Sequence, residues 1–380
     1  MTAPSRVTLA IRAGASSPSA VSASFIDAID SVIVRQQVDQ PSTFQIVLNA
    51  DLPKKQASDI PIVAAGELAP GNRVKIGLTL GSKRCCLMDG VSVHQELKYD
   101  VASGAFTYSI IGEDSSLYMR LEEKSAEWPE RSCAQIAREI IGTYGSRGLS
   151  PTIVTPQTDF APGKTQWLYR QSASDYDFLR MLGRPFGHLF AVRPGSTLDD
   201  DAVAYWGPPA RDGSTLPAFS VAMGAWTNVD EIEFAYDASA ATGYDGTSRT
   251  EDDPPASLSV KSEWELGLTS LAKNSATDST LRRSVRYIDP GVVGALATAS
   301  AAAIVQESAR SALRVRAKID GLIYGTVVGP ATQIPVRGVG GSHDGLYYVE
   351  RVEHTIKRGR YTQEIVMTRE GLGKTISEAT

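Results

Sequence analysis

Three consecutive residues, Ser342-His343-Asp344, carry the side-chain types of a hydrolytic triad. A triad relay must converge in space from separate segments, and consecutive side chains point apart. Flanked by Gly340, Gly341 and Gly345, they read as a hairpin turn. Asp199-Asp200-Asp201 offers carboxylates to a hard cation, but it lacks the ordered spacing and the glycine of a calcium loop. That run reads as a solvated loop. His94, His188 and His354 lie far apart, and none sits in a His-x-x-x-His pair. The sequence has no phosphate-cradling loop ending in Gly-Lys-Ser/Thr and no Gly-x-Ser-x-Gly elbow. No catalytic, cofactor-binding or metal-ligating residue is therefore assigned, and no cofactor is expected.

The three cysteines, Cys85, Cys86 and Cys133, are too few for a disulfide framework. Reduced thiols of a cytosolic product are the reading. Cys85 and Cys86 are adjacent in a strand-like stretch, so one is expected to face inward and one outward.

One charged cluster stands out. Arg314, Arg316 and Lys318 alternate with Val315 and Ala317 and so share one face of a strand, with Arg310 just before them. An ordinary solvated face would look the same, since edge strands carry charge against aggregation. The functional reading is a charged interface or the wall of a channel.

The elements that would hold this face are mostly strands. Phe44, Ile46 and Leu48, then Val74, Ile76, Leu78 and Leu80, then Phe106, Tyr108 and Ile110 recur with period two. Pro70-Gly71-Asn72 and Ala102-Ser103-Gly104 supply the turns between them. Residues 1–121 read as a first small β-barrel or strongly bent sheet. The period then changes. Cys133, Ile136, Ala137, Ile140, Ile141 and Tyr144 fall at helical spacing, and a second helix from about Ala173 is capped by Ser172 or Ser174. A strand over Leu189 to Val192 completes a mixed α/β insert, residues 122–206. Residues 207–239 hold a linker and the first strands of a second barrel, and residues 240–309 a loop and helix insert. Within that insert, Tyr244 to Ser257, acidic and Pro-rich, reads as a mobile loop, and about Val293 to Ala309 as an Ala-rich helix. Residues 310–372 complete the second barrel, and 373–380 form a tail.

The two β regions repeat a plan of turn, strand, long hairpin and strand. The first runs from Pro70 through Asp89-Gly90-Val91-Ser92-Val93-His94 to Glu113. The last runs from Gly329 through Val349-Glu350-Arg351-Val352-Glu353-His354 to Glu370.

With 380 residues, two or three domains are expected. A hydrophobic content of 42% against 21% charged residues marks a globular chain. A net charge of −5 argues against nucleic acid as the main partner, because phosphate binding needs a basic surface. No signal peptide is apparent at the N-terminus and no apolar run is long enough to span a membrane. The expected origin is the cytoplasm.

Four stretches resemble a known family. Asp39-Gln40-Pro41-Ser42-Thr43-Phe44 resembles its first hairpin, and Tyr108-Ser109-Ile110-Ile111-Gly112-Glu113-Asp114 its strand ending in a Gly-x-Asp turn. Ser174 to Leu182 resembles its insert helix, with Gly187 following. Gly345 to His354 with Gly359-Arg360-Tyr361-Thr362 resembles its closing hairpin. The family is the central baseplate hub of contractile phage tails and injection systems, including phage late control protein D and the hub half of the type VI spike VgrG. The resemblance implies an α+β, mainly β chain with two related tube-type β-barrel domains carrying α/β inserts. It implies a homotrimer whose six barrels form a pseudo-sixfold ring, joining a hexameric inner tube to a trimeric spike within a phage tail or injection particle. Inner tube protein, baseplate wedge proteins and a separate spike protein would be its partners, with nucleic acid at most passing through the channel. No family catalytic residues carry over. The rival expectation is a carbohydrate- or peptidoglycan-binding or cell-wall-degrading tail component, for which Trp167 and Tyr169 would form an aromatic platform.

Overall fold

Period-two burial selects the sheet. Phe44, Ile46 and Leu48 are all buried, as are Val74, Ile76 and Leu78, while Thr43, Gln45 and Val47 stay half-exposed and Asn49 is exposed. The computed structural model describes residues 6–15, 17–50, 59–102, 104–162, 168–211, 215–250, 253–260, 269–287 and 294–374.

The first region supplies β1 (Val7–Gly14), β2 (Ser19–Ala20), α1 (Ala23–Ala28), β3 (Ile29–Gln37), β4 (Thr43–Ala50), α2 (Pro61–Ala64), β5 (Arg73–Leu80), β6 (Lys83–Asp100) and β7 (Ala105–Asp114). An insert follows with β8 (Glu123–Trp128), α3 (Cys133–Gly142), β9 (Leu149–Ile153), β10 (Tyr169–Ser174), α4 (Asp175–Gly183), β11 (Leu189–Arg193) and β12 (Ala202–Gly207). The rest holds β13 (Phe219–Ser220), β14 (Glu231–Tyr236), β15 (Thr242–Thr250), β16 (Asp253–Val260), β17 (Ala272–Ser275), β18 (Arg283–Tyr287), α5 (Gly294–Arg310), β19 (Leu313–Asp320), α6 (Gly321–Tyr324), β20 (Gln333–Arg337), β21 (Gly345–Lys357), β22 (Arg360–Arg369) and β23 (Gly371–Lys374).

The chain is mainly β. Strands from both β regions join one 13-stranded sheet with the path β14-β19-β22-β21-β3-β4-β7-β6-β5-β1-β2, and β20 and β13 branch from β21. The repeat read from the sequence is a repeat of topology. The first region orders its strands β3-β4-β7-β6-β5, and the last orders them β14-β19-β22-β21-β20. A short helix, α2 or α6, follows the second strand of each array in sequence. A bulge interrupts the long hairpin at Ser92/His94 in one and at Val349/Arg351 in the other. The arrays are expected as separate barrels. Instead, β21 pairs with β3 from Arg351↔Gln37 to Lys357↔Ser31, and no strand pairing among the described residues closes either array on itself. Each array keeps its own apolar core: Phe44, Ile46 and Ile76 in the first, Val315, Tyr347 and Met367 in the second.

The insert folds where its helical spacing places it. Ser132 caps α3 in a reciprocal capping box with Gln135, and Asp159 accepts from the Cys133 and Ala134 amides at 3.0 and 3.1 Å. Ser174 caps α4 by accepting from the Asp177 amide. Ile136, Phe178, Leu179 and Trp206 fill the core between these helices and the sheet β11-β12-β9.

One local expectation is corrected. The stretch Tyr244 to Ser257 is not a loop: β15 and β16 pair as a hairpin, and β15 also pairs with β18. Its prolines, Pro254 and Pro255, lie on β16 at the edge of that three-stranded sheet, where a missing N–H donor is tolerated. Tyr244 is buried against Ala301, Ala302 and Val305 of α5, which covers the hairpin. Glu251 and Asp252 of this stretch, and the expected helix start at Val293, lie outside the described residues. Asp199-Asp200-Asp201 is exposed, as read from the sequence, but the backbone of this loop docks on β5. The Lys75 ammonium donates to the Leu198 and Asp200 carbonyls at 3.1 and 2.7 Å, and Arg12 pairs with Asp199 at 2.6 Å. Gly77 makes room for it, since a Cβ there would lie 2.8 Å from the Leu198 side chain. The loop therefore covers the second face of β5.

Candidate functional site

The strand carrying Arg314, Arg316 and Lys318 is β19, between β14 and β22. Alternation turns Leu313, Val315, Ala317 and Ile319 into the core and leaves Arg314 and Arg316 exposed and Lys318 half-exposed. The face is not uniformly basic, because strand register sets acids beside each base. Glu231 lies opposite Lys318 and Glu233 opposite Arg316 on β14. Glu364 on β22 takes the Lys318 ammonium at 2.9 Å, and this contact raises the lysine pKa. Next along the same row, Glu353 on β21 faces Glu364 and pairs with Arg35 of β3 at 2.6 Å. One ladder of charge thus runs Glu231, Lys318, Glu364, Glu353, Arg35 across the seam between the two arrays. A shallow groove of about 390 Å³ lies along it, also lined by Arg316 and Arg351.

Arg310 stands apart from this row. It ends α5, and its guanidinium lies 3.3 Å from Glu350, the bulge residue of β21. Arg314 reaches the same carboxylate at 4.0 Å. The structure thus places Lys318 on the ladder and Arg316 beside it along the groove, and turns Arg310 and Arg314 onto Glu350. Sequence reading missed the acidic half of the ladder. A signal was present, since Glu231 and Glu233 alternate with Ile232 and Phe234.

The other residues with chemical potential are structural. Ser342-His343-Asp344 forms a turn whose Ser342 and Asp344 carbonyls accept from the buried Arg369 guanidinium at 2.9 and 3.0 Å. Burial lowers the Arg369 pKa, and the side chain lies over the Tyr347 ring. His354 is fully buried. One ring nitrogen lies 3.2 Å from Gln36 Oε1 and the other 2.9 Å from the Tyr361 hydroxyl. With Gln36 Nε2 donating to the Leu87 carbonyl, its Oε1 is the acceptor. His354 then donates from Nε2 and accepts from Tyr361, a neutral ring; burial holds its pKa down at about 3. His188 sits against Trp206 with its pKa lowered to about 4 by burial, and His94 is exposed on β6. Cys85 packs toward the first core, while Cys86 lies on the other face, covered because the docking loop runs past it. Desolvation pushes their thiols up to about 11 and about 12, away from reactivity. Tyr169 packs against the core of the insert, so it is not a surface platform; Trp167 lies outside the described residues. Among the described residues no cluster of three or more His, Cys, Asp or Glu is placed to hold a metal, and no helix is long and apolar enough to cross a membrane.

Two buried acids close the arrays in the same way. Asp114, at the end of β7, accepts from the Ser42 and Ser116 amides. Burial raises its pKa to about 6. Glu370 directly follows β22 and accepts from the Leu271 and Ala272 amides and the Ser270 hydroxyl, with Arg211 at 3.0 Å. The linker expected at the start of residues 207–239 is thus pinned at Arg211.

The family described as the Alg8 N-terminal domain matches residues 7–358. No curated protein matches the chain. Solved structures share its fold at low identity. The 43 kDa tail protein of prophage MuSo2 from Shewanella oneidensis is 13% identical with a TM-score of 0.64, covering 96% of this chain and 99% of its own. A tail protein from Neisseria meningitidis MC58 is 11% identical with a TM-score of 0.61, at 97% and 98% coverage. The Escherichia coli c3393 protein, a component of the type VI secretion system with structural similarity to the T4 tail proteins gp27 and gp5, is 11% identical. Its TM-score is 0.54, covering 89% of this chain and 73% of its own.

Proposed function

We propose, for this chain, which belongs to the Alg8 N-terminal domain family, a structural and non-catalytic role as the baseplate hub of a contractile phage tail or a related injection system. The observation that carries this reading is the duplicated array: one strand order occurs twice in one chain, and the two copies are joined edge to edge in a single sheet. Three such chains would set six similar units around one axis, a pseudo-sixfold ring. A ring of that kind meets a hexameric inner tube on one side and a trimeric spike on the other. Closed cyclic assembly also covers strand edges that a free sheet exposes. The fold shared with tail proteins and a type VI secretion component supports the same reading.

Within such a ring, the groove holding Lys318 and Arg316 lies on a sheet face that either lines the channel or meets a neighbour, and Arg310 and Arg314 flank it. Its mixed charge suits passage of a polar cargo better than tight binding of nucleic acid, which would need a net basic surface. Tyr169, turned into the insert core, gives the glycan-binding alternative no platform. The test is a reconstruction of the native particle. Three copies of this chain in one ring between tube and spike are expected; six copies, or a position away from the tube axis, would overturn the hub reading.

A further inference from the structure

The seam inside the chain has an unpaired counterpart. In the second array, the hairpin beyond its bulge, Arg351–Lys357 of β21, pairs with β3 of the first array. His354 and Ile356 of that stretch, with Tyr361 opposite Ile356, are buried there, and Ile356 and Tyr361 enter the first core. In the first array, the corresponding hairpin stretch is His94–Asp100 of β6, also just beyond a bulge. It pairs with β7 on one side, but β5 ends its pairing at Val91, so among the described residues the other edge is unpaired. Leu97 and Tyr99 stand at the places of His354 and Ile356, and they are 46% and 49% exposed. Tyr99 lies against Phe106, the counterpart of Tyr361, with ring centroids 4.7 Å apart and the rings tilted by 41°. The counterpart of β3 is β14, which ends the sheet with its outer edge unpaired among the described residues.

We propose that the open edge of β6 in one copy pairs antiparallel with β14 of a second copy, repeating between chains the β21–β3 seam that joins the arrays within one chain. This interface rests on the ring reading above and names its contact. The shared pairings fix the register. Phe44 of β4 and Val315 of β19 occupy equivalent places, because each lies opposite a β7 or β22 residue paired across from the last hairpin residue before the bulge. Val34 and Phe234, their partners, are then equivalent. Since His354 faces Val34, Leu97 faces Phe234 of the second copy. The remaining pairs follow as Tyr99 with Ile232, Lys98 with Glu233, Gln95 with Tyr236 and His94 with Asp237.

The chemistry of these pairs is complementary. Two exposed apolar side chains meet Ile232 and Phe234, which are only half-covered at the rim of the second core. Lys98 meets an acid. Only Asp100 against Glu231 opposes like charges, at the end of the pairing, where fraying relieves it. A head-to-tail contact of this kind closes into a ring when its rotation permits, because the two edges lie on different arrays.

Mixing the single variants Lys98→Cys and Glu233→Cys under mild oxidation tests the register, with the adjacent pair Leu97→Cys and Phe234→Cys as a second probe. All four positions lie on strand edges, and the native thiols are largely covered. A disulfide-linked dimer should form in at least one mixture and in neither variant alone, while Lys98→Cys with Glu231→Cys, two residues out of register, should give several-fold less. A double variant should yield a covalent trimer. Equal cross-linking in the shifted control would overturn the proposal. So would self-association without a cross-link at either pair, or a chain that sediments as a monomer at every concentration. A particle with three copies in a ring but no such cross-link would leave the hub reading standing and remove this interface.

Discussion

The first and second strand arrays share one order of strands and differ in what covers the end of their long hairpin. Beyond the bulge of β21 the side chains are His354 and Ile356, buried under β3. Beyond the bulge of β6 they are Leu97 and Tyr99, half in solvent. The backbone is the same; the neighbour is not. A buried polar ring such as His354 is tolerated only because Gln36 and Tyr361 satisfy both nitrogens. At the open edge Leu97 stands in its place, with the amphipathic Lys98 and Tyr99 beside it. The terminal acids differ in the same sense. Asp114 is held by backbone amides with only a distant influence from Arg120, whereas Glu370 has a direct arginine partner.

The largest effect should come from the covered seam. Tyr361→Ala removes a fully buried ring and is expected to cost about 3–5 kcal/mol. Tyr99→Ala, at the matching hairpin of the open edge, should move the stability of the isolated chain by about 0.5 kcal/mol or less. Equilibrium denaturation of both variants measures the gap, and equal losses would show that the two hairpins are not differently covered.

Next in size are the acids. Glu370→Ala leaves Arg211 buried without its carboxylate and is expected to cost about 3–5 kcal/mol. Asp114→Asn keeps the volume and should cost about 1–3 kcal/mol by weakening amide acceptors. A smaller loss at Glu370 than at Asp114 would break the parallel drawn here.

Acid should act on the arrays with opposite signs. His354 is held neutral at about 3 when folded, below the usual histidine value of 6.5. The unfolded chain binds the proton first, so stability is fully present above pH 6.5 and falls by about 1.4 kcal/mol per pH unit as pH drops toward 3. Asp114 is raised from 3.8 to about 6. Here the folded state holds the proton longer, so its contribution is present below pH 3.8 and is lost as pH rises through 6. Across pH 4–6 the two slopes oppose each other, so stability should rise with pH more steeply in Asp114→Asn and turn toward falling with pH in His354→Gln. The reverse pattern would contradict the assigned protonation states.

The smallest effect belongs to the exposed groove residues. Arg316→Ala and Lys318→Ala should each leave thermal stability essentially unchanged, because exposed pairs are solvent-screened. A larger loss in thermal denaturation would make the face structural and remove it as a candidate for the channel or a contact.

Much of this was legible in the chain itself. The helices at Cys133–Gly142 and Asp175–Gly183 follow from helical spacing and from Ser132 and Ser174 as caps. The alternation of Leu313 to Asp320 fixed both a strand and its charged face. The repeat was readable as an order of turns and hairpins, though residue by residue the arrays are dissimilar. Local periodicity carries that information, because a strand or helix buries one face whatever it packs against. Pairing partners are another matter. Period two says that Val34 and His354 face inward, but not that they lie side by side, 320 residues apart in sequence. The same holds for the acids beside Lys318 and for the Tyr244 to Ser257 hairpin, whose acidic and Pro-rich composition pointed to a loop until β18 and α5 gave it a place. Composition and spacing determined which faces exist; tertiary contact alone decided which faces meet, since register and the covering of an edge depend on segments distant in sequence.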